Sequence, residues 1–317
     1  MSTSRILFST SSFDTESNPH LRVLTDCGFE LIFNPYGRRL TQPEAKELLQ
    51  QGVVGVVAGV EPLTSDVLAS AHALKVISRC GTGMDSVDVD AARERGIRVY
   101  NTPEAPADAV AELTLALMLN LLRQVSRSDR DMRAGQWKPL MGNLLRAQTV
   151  GIVGYGRVGR RVGGLTGAFG ARVIAHDPSY TNEERGVESH TFEKLLAASD
   201  IVTLHFAPDT DRPVFNAARF AGMKNGALLI NTARGTLIDE DALVTALQTG
   251  RIAGAALDTF SAEPYKGPLT AFPQVVLTAH MGSYAKESRS RMEHEAAANL
   301  IRGLAEQGLM PAAPAFM

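Results

Sequence analysis

Three ionisable residues stand where apolar runs end: Arg234 in "LLINTARG", Glu263 in "DTFSAEP" and His280 in "VVLTAH". A guanidinium forks onto a carboxylate and polarises an adjacent carbonyl. An imidazole gives or takes a proton near neutral pH. A carboxylate beside the imidazole orients it and favours its protonated form. Together the three suit hydride transfer between a 2-hydroxy acid and its 2-keto acid, with Arg234, Glu263 and His280 catalytic and Arg234 also holding substrate. Singly, each has a plainer reading: a surface ion pair, turn chemistry before Pro264, and a loop histidine.

What favours the chemical reading is shared position. "DIVTLHF" ends in His205, followed by Ala207 and Pro208. Thr232 and Ala233 lead into Arg234, and Gly235 is expected to turn the chain away. Asp258 closes "AGAALD", and Gly282 follows His280. Four successive apolar runs thus place polar groups at one end, the edge where an open parallel sheet binds ligands. His205 either lines a cofactor pocket or only packs there. His20, His72, His176, His190 and His294 lack such a context and read as structural or exposed.

"GIVGYGRVGRRVGGLTGAFGARVIAHD" adds Gly154-x-Gly156-x-x-Gly159 between an apolar strand and a helix. A second strand ends in Asp177, 18 residues after Gly159. Gly154 permits the tight turn, Gly156 lets backbone approach a pyrophosphate, and Gly159 lets helix pack on strand. The helix N-terminus stabilises phosphate charge. Asp177 suits ribose hydroxyls and repels a 2'-phosphate, so NAD is expected rather than NADP. Arg160 and Arg161 are expected to face solvent.

The elements that must position these groups alternate. "RILFS", "FELIF", "VVGVVA", "LKVISR" and "IRVYN" read as strands. Between them "TQPEAKELLQQG", "TSDVLASA" and "DVDAARERG" read as helices, the first with Thr41 as cap, Pro43 in the first turn and Gly52 as stop. Residues 103–134 read as one long helical pattern, apolar almost all round near 113–122, so buried between domains or subunits. A second series follows, with strands "TVGIVG", "ARVIAHD", "DIVTLHF", "GALLIN", "AGAALDTF" and "VVLTAH". Its helices fall at 157–168, 192–198 and 239–249, and a last helix at about 285–307. Such alternation predicts parallel, doubly wound sheets.

The 317 residues suffice for two domains. With 44% hydrophobic and 21% charged residues and a net charge of −2, nothing points to nucleic acid or an anionic membrane. Cys27 and Cys80 form neither a disulfide framework nor a zinc spacing, and no metal is expected. "MSTSRILFSTSSFD" lacks the apolar core of a signal peptide. The apolar run at 109–122 is broken by Glu112 and Asn120 and is too short to span a bilayer. A cytoplasmic protein is expected.

The motifs "GTGMDSVDVDAARERGI", "NTPEAPADAVAELTLALML", "TVGIVGYGRVG", "INTARGTLIDEDALVTAL", "GAALDTFSAEP" and "TAHMGSYAKESRSRM" resemble those of the D-isomer-specific 2-hydroxyacid dehydrogenases, in the group that includes D-3-phosphoglycerate dehydrogenase. The resemblance covers roughly residues 75 to 300. It implies an α/β fold of two Rossmann-like doubly wound parallel-sheet domains with a cleft between them. Residues 1–100 would begin the substrate-binding domain, 101–285 would form the NAD-binding domain, and 286–317 would return as a helix to the first. It places the family's catalytic Arg, Glu and His on Arg234, Glu263 and His280. Tyr155, Gly156, Arg157 and Val158 would cover the pyrophosphate. Pro208 and Ala233 would line the cofactor, and Asp258 would hold the nicotinamide carboxamide. Arg79, Gly81, Thr82 and Gly83 would form the substrate-carboxylate loop. The long helix would contribute to a homodimer.

One departure bears on substrate. Phosphoglycerate dehydrogenases commonly carry a phosphate-binding Arg in the third-strand loop; here that loop reads "VAGVEPLTSDV", with Gly59, Val60 and Glu61 and no cation. Arg38 or Arg39 in "NPYGRRL" would have to substitute. The other functional class compatible with these motifs is a nucleotide-sensing corepressor built on the same fold. Formate-dehydrogenase chemistry would need a glutamine where Glu263 stands.

Overall fold

The computed structural model describes residues 4–180, 186–207 and 212–311. They divide into two compact units: residues 1–106 with 283–317, and residues 107–282.

In the first unit, β1 (Arg5–Phe8), β2 (Glu30–Phe33), β3 (Val53–Ala58), β4 (Val76–Arg79) and β5 (Arg98–Asn101) form a parallel sheet in the order β2-β1-β3-β4-β5. The run "VVGVVA" of β3 is buried along its whole length, as a strand covered on both faces should be. Its helices are α1 (Pro19–Asp26), α2 (Gln42–Leu49), α3 (Ser65–Ser70) and α4 (Val89–Glu94). α2 starts as expected: Thr41 precedes it, Pro43 sits in its first turn, and Glu44 accepts the Thr41 N–H at 2.8 Å. Gly52, at φ +78°, turns the chain into β3.

The second unit opens with α5 (Ala107–Arg123) and α6 (Val125–Arg133). The single long helix expected over 103–134 is two helices, bent by 60° at Gln124. Gln124 adopts φ +52°, outside the helical region. Asn120 stabilises the break: its Oδ1 accepts the Ser126 N–H at 2.8 Å and its Nδ2 donates to Ser126 Oγ at 2.6 Å. Apolar periodicity runs up to this point and carries no sign of the kink. No single helix among the described residues is long and apolar enough to cross a membrane.

Then follow β6 (Thr149–Val153), α7 (Arg157–Ala168), β7 (Arg172–His176), β8 (Glu188–Ser189), α8 (Phe192–Ala198), β9 (Ile201–Leu204), α9 (Ala217–Gly222), β10 (Ala227–Asn231), α10 (Glu240–Gln248), β11 (Ile252–Leu257) and β12 (Val275–Leu277). The strands form a parallel sheet in the order β12-β11-β10-β9-β6-β7-β8. Sequence order reverses between β6 and β9, the switch point at which doubly wound sheets bind ligands.

The last helix, α11 (Lys286–Glu306), belongs to the first unit. Leu300 and Leu304 fill the space over Gly55, and Gly303 lies on Tyr100 and Val76. Each fully buried leucine contributes roughly 1.5–3 kcal/mol. Ser78 donates to the Ala296 carbonyl at 2.7 Å, tying helix to sheet.

Candidate functional site

Register brings the chemistry to one edge of the seven-stranded sheet. Val153 pairs with His176 and Leu204, Leu204 with Asn231, Asn231 with Leu257, and Leu257 with Leu277. The residues that leave these six strands are therefore level: Gly154, Asp177, His205, Thr232, Asp258 and Thr278. A strand rises about 3.3 Å per residue, so pairing alone aligns groups scattered over more than 120 positions of chain.

At the switch point Gly154 has φ +89°, and a Cβ there would come within 2.6 Å of the His205 carbonyl. A Cβ on Gly159 would overlap the Gly154 carbonyl, so α7 packs hard on the turn. Gly156 is the contrast: a Cβ there would meet nothing within 4 Å, leaving room for a ligand against backbone. The first amides of α7 have no side-chain cap at this point. These residues fit a dinucleotide pyrophosphate. Arg157 is exposed and Val158 half-buried in the first turn. Tyr155 places only its backbone here: its ring is buried against Tyr180, with centroids 4.5 Å apart.

Asp177 accepts the Tyr155 N–H at 2.8 Å and the Ser179 N–H and Oγ at 2.8 and 2.6 Å. Burial raises its carboxyl, but the hydrogen bonds from Ser179 and Tyr155 outweigh it and hold the group below its ordinary value. The acid is ionised and fixed beside the glycine turn. Arg160 is exposed as expected and stacks over Tyr155 at 5.1 Å. Arg161 departs from expectation: it is half-buried and pairs with Asp108 of α5.

His205 is half-buried, and desolvation pushes its imidazole down to about 3. It is a neutral group that meets Thr203 Oγ1 through Nε2 at 2.9 Å. Ala207 is exposed beyond it, and Pro208 lies outside the described residues. Thr232 is buried and turns its hydroxyl to Thr114 of α5 at 2.9 Å.

Around Arg234 the decisive residue is one that sequence reading passed over. Asn231 accepts the Ala233 N–H at 3.0 Å and donates to the Arg234 carbonyl at 2.8 Å, an Asx-type clamp on the bend. Its signal was available, since Asn at a strand end is a turn former. Arg234 itself is extended and half-buried, with Nη1 donating to the Ala233 carbonyl at 2.8 Å. Gly235 is a glycine for a reason other than turning. Its φ is not positive, and a Cβ would overlap the backbone of Phe260 and Ser261. The Arg234 loop is thus pressed onto the loop leading to Glu263.

Glu263 accepts the Phe260 N–H through Oε1 at 3.0 Å and meets His280 Nδ1 through Oε2 at 2.9 Å. The carboxylate is held at one oxygen and orients the imidazole with the other. With Nδ1 engaged, Nε2 is the ring atom left to exchange a proton with a ligand. Half of the His280 side chain is exposed. Asp258 is fully buried, and Gly282 is buried beside it.

The loop residues Arg79 to Gly83 belong to the first unit. Arg79 turns its guanidinium to the Cys80 carbonyl. The Gly81 N–H donates to Thr102 Oγ1 at 2.7 Å, so that amide already serves the fold. Thr82 is exposed and Gly83 half-buried. In the β3 loop Val60 is exposed while Glu61 is 1% exposed, accepting from Ser9 Oγ and from the Gly59 N–H. Arg38 forks onto Glu44 at 2.7 and 3.0 Å, committed to the start of α2.

Burial raises the Glu61 carboxyl above its ordinary value. Stability is then fully present below the unfolded-state pKa of about 4.3 and lost as pH rises through the higher folded value. Glu61→Gln keeps an acceptor without the charge, so it should raise the melting temperature near pH 7, with the gain vanishing near pH 4. Thermal unfolding across that range checks this; a variant no more stable at neutral pH contradicts it.

Known proteins resemble this chain in sequence and fold. The pattern of the family described as D-isomer specific 2-hydroxyacid dehydrogenase, NAD binding domain, matches residues 115–282. Hydroxypyruvate reductase of Thermotoga maritima is 35% identical over 84% of this chain and 89% of its own. D-3-phosphoglycerate dehydrogenase of Rattus norvegicus is 35% identical over 88% of this chain and 53% of its own, so this chain spans about half that relative. The crystal structure of a glyoxylate reductase from Paecilomyes thermophila superposes with a TM-score of 0.86 at 30% identity, over 98% of each chain. Sequence and architecture agree over most of the length, and the chain belongs to the D-isomer specific 2-hydroxyacid dehydrogenases, oxidoreductases that use NAD.

Proposed function

We propose that the protein interconverts a small, unphosphorylated 2-keto acid, of the glyoxylate and hydroxypyruvate class, with its D-2-hydroxy acid. The observation that supports the chemistry is the His280–Glu263 pair, Nδ1 to Oε2 at 2.9 Å, on the ligand-binding edge of the NAD-binding sheet. The cofactor supplies or takes the hydride when bound. Arg234 binds the substrate carboxylate and polarises its carbonyl. His280 Nε2 protonates the developing alkoxide, and Glu263 keeps the ring turned for that transfer. Gly154, Gly156, Gly159 and the first turn of α7 hold the pyrophosphate, Asp177 the ribose, and Ala233 and Asp258 the nicotinamide side. His205, neutral, lines the adjacent strand end. Arg79, Gly81, Thr82 and Gly83 are assigned to substrate binding by the family's pattern.

Substrate size follows from the β3 loop. The loop itself carries no cation, with Val60 exposed and Glu61 buried, and Arg38 is occupied by Glu44, which leaves Arg39, exposed, as the other candidate. The relatives matched are named as reductases and dehydrogenases, which disfavours a corepressor. Trp137 and Met141, 85% and 91% exposed beyond α6, support a homodimer. Two unpaired thiols, Cys27 and Cys80, support a reducing cytoplasm.

The test is NADH oxidation with glyoxylate, hydroxypyruvate, pyruvate and 3-phosphohydroxypyruvate. The plain acids are expected to exceed the phosphorylated one in kcat/KM by at least about tenfold, the effect of one unmet charge contact near 1.4 kcal/mol. A preference for the phosphorylated acid overturns the substrate class, and inactivity with all four overturns the reaction.

A further inference from the structure

We infer that Asp258 is the positioning residue that sets the catalytic geometry of His280, by bracing the turn on which the imidazole is carried. This rests on the assignment of His280 as the proton donor. His280 has φ +51°, a conformation that residues other than glycine rarely adopt. Something must hold it there, and the hydrogen bonds show what does.

Three donors converge on the Asp258 carboxylate. Thr278 Oγ1 reaches Oδ1 at 2.6 Å and the Met281 N–H reaches it at 2.9 Å; the Gly282 N–H reaches Oδ2 at 2.8 Å. One donor precedes His280 and two follow it, so the carboxylate grips the turn from both sides of the residue. The brace is rooted in the sheet. The Asp258 N–H donates to the Asn231 carbonyl at 2.9 Å, and the Thr278 N–H to the Leu257 carbonyl at 3.0 Å. The carboxylate is wholly buried, where charge-assisted hydrogen bonds are strong and their loss costly. Gly282 is fitted to the same contact: a Cβ there would lie 3.1 Å from Asp258 Oδ2.

Glu263 fixes the ring through Nδ1, while Asp258 fixes the backbone beneath it. Both are needed to aim Nε2, because an imidazole oriented on a mobile turn sweeps its other nitrogen through space. A displacement near 1 Å at a reacting group costs about 100-fold in rate.

The test uses full-length protein without and with NADH. Asp258→Asn replaces one acceptor oxygen by a donor that opposes an N–H of the turn. Thr278→Val removes one brace bond while leaving the carboxylate intact, and Thr278→Ser restores it. In cofactor-free Asp258→Asn and Thr278→Val, the His280 ring resonances should shift and broaden, and its carbethoxylation rate should change. With NADH bound, kcat for keto-acid reduction should fall, by about 100-fold in Asp258→Asn and less in Thr278→Val. Thr278→Ser should recover the wild-type values. If the cofactor-free His280 signals match wild type in both variants and only NADH affinity drops, Asp258 serves the cofactor alone and the brace is refuted. Should Asp258→Asn fail to fold, Thr278→Val against Thr278→Ser decides. Wild-type protein that reduced no 2-keto acid would remove the proposed function but leave the resonance test standing.

Discussion

His280→Ala is expected to lower kcat for keto-acid reduction by about 10²–10⁴-fold, the range for loss of a positioned general acid, with NADH affinity nearly unchanged. The size follows from the arrangement. Nδ1 is engaged by Glu263, so a single nitrogen is left to deliver the proton, and alanine leaves none. NADH binding survives because the glycine turn and Asp177 sit four and five strands away, at the other side of the switch point. His280→Asn separates shape from proton transfer: it tolerates a left-handed backbone and should be as inactive as alanine. Steady-state turnover and fluorescence titration of NADH measure the two quantities. Turnover close to wild type in either variant would show that another group moves the proton. Loss of NADH binding in parallel with turnover would place His280 at the cofactor instead.

Arg234→Gln should lower kcat/KM by about 10²–10³-fold, corresponding to about 3–4 kcal/mol for a severed charge-assisted contact. Arg234→Lys should recover only part of it, since an ammonium keeps the charge but not the planar fork that spans a carboxylate. The loss should fall mainly on KM if the contact is equally strong in substrate and transition state, and on kcat if carbonyl polarisation dominates. The melting temperature should change little, because Asn231 grips the backbone of the bend rather than the guanidinium. The check is kinetics on one plain keto acid with thermal unfolding alongside. A variant with unaltered kcat/KM would remove Arg234 from the substrate site.

Local spacing made the nucleotide turn legible. Gly154, Gly156 and Gly159 act within six residues, and Asp177 follows one helix and one strand later, so their roles depend on contacts close in the chain. The strand-end groups His205, Arg234, Asp258 and His280 were legible for a related reason. An apolar run followed by a polar residue marks where a strand leaves the core, whatever its neighbours are. The break at Gln124 was not legible, because apolar spacing describes which face is buried and not whether backbone curvature persists. Gly235 was read as a turn residue because only its chain neighbours were visible; its real constraint is the backbone of Phe260, some 25 residues on.

The amino-acid sequence by itself determined the alternation of strands and helices, the phosphate-binding turn and which ionisable residues end strands, since each follows from periodicity or short-range stereochemistry. Only the tertiary structure decided which of those residues act together. It paired Glu263 with His280, buried Glu61 against Ser9, and closed the Asp258 carboxylate around a turn 20 residues away. Those pairings depend on strand order and register, which are set by the packing of the whole sheet and are written in no single segment.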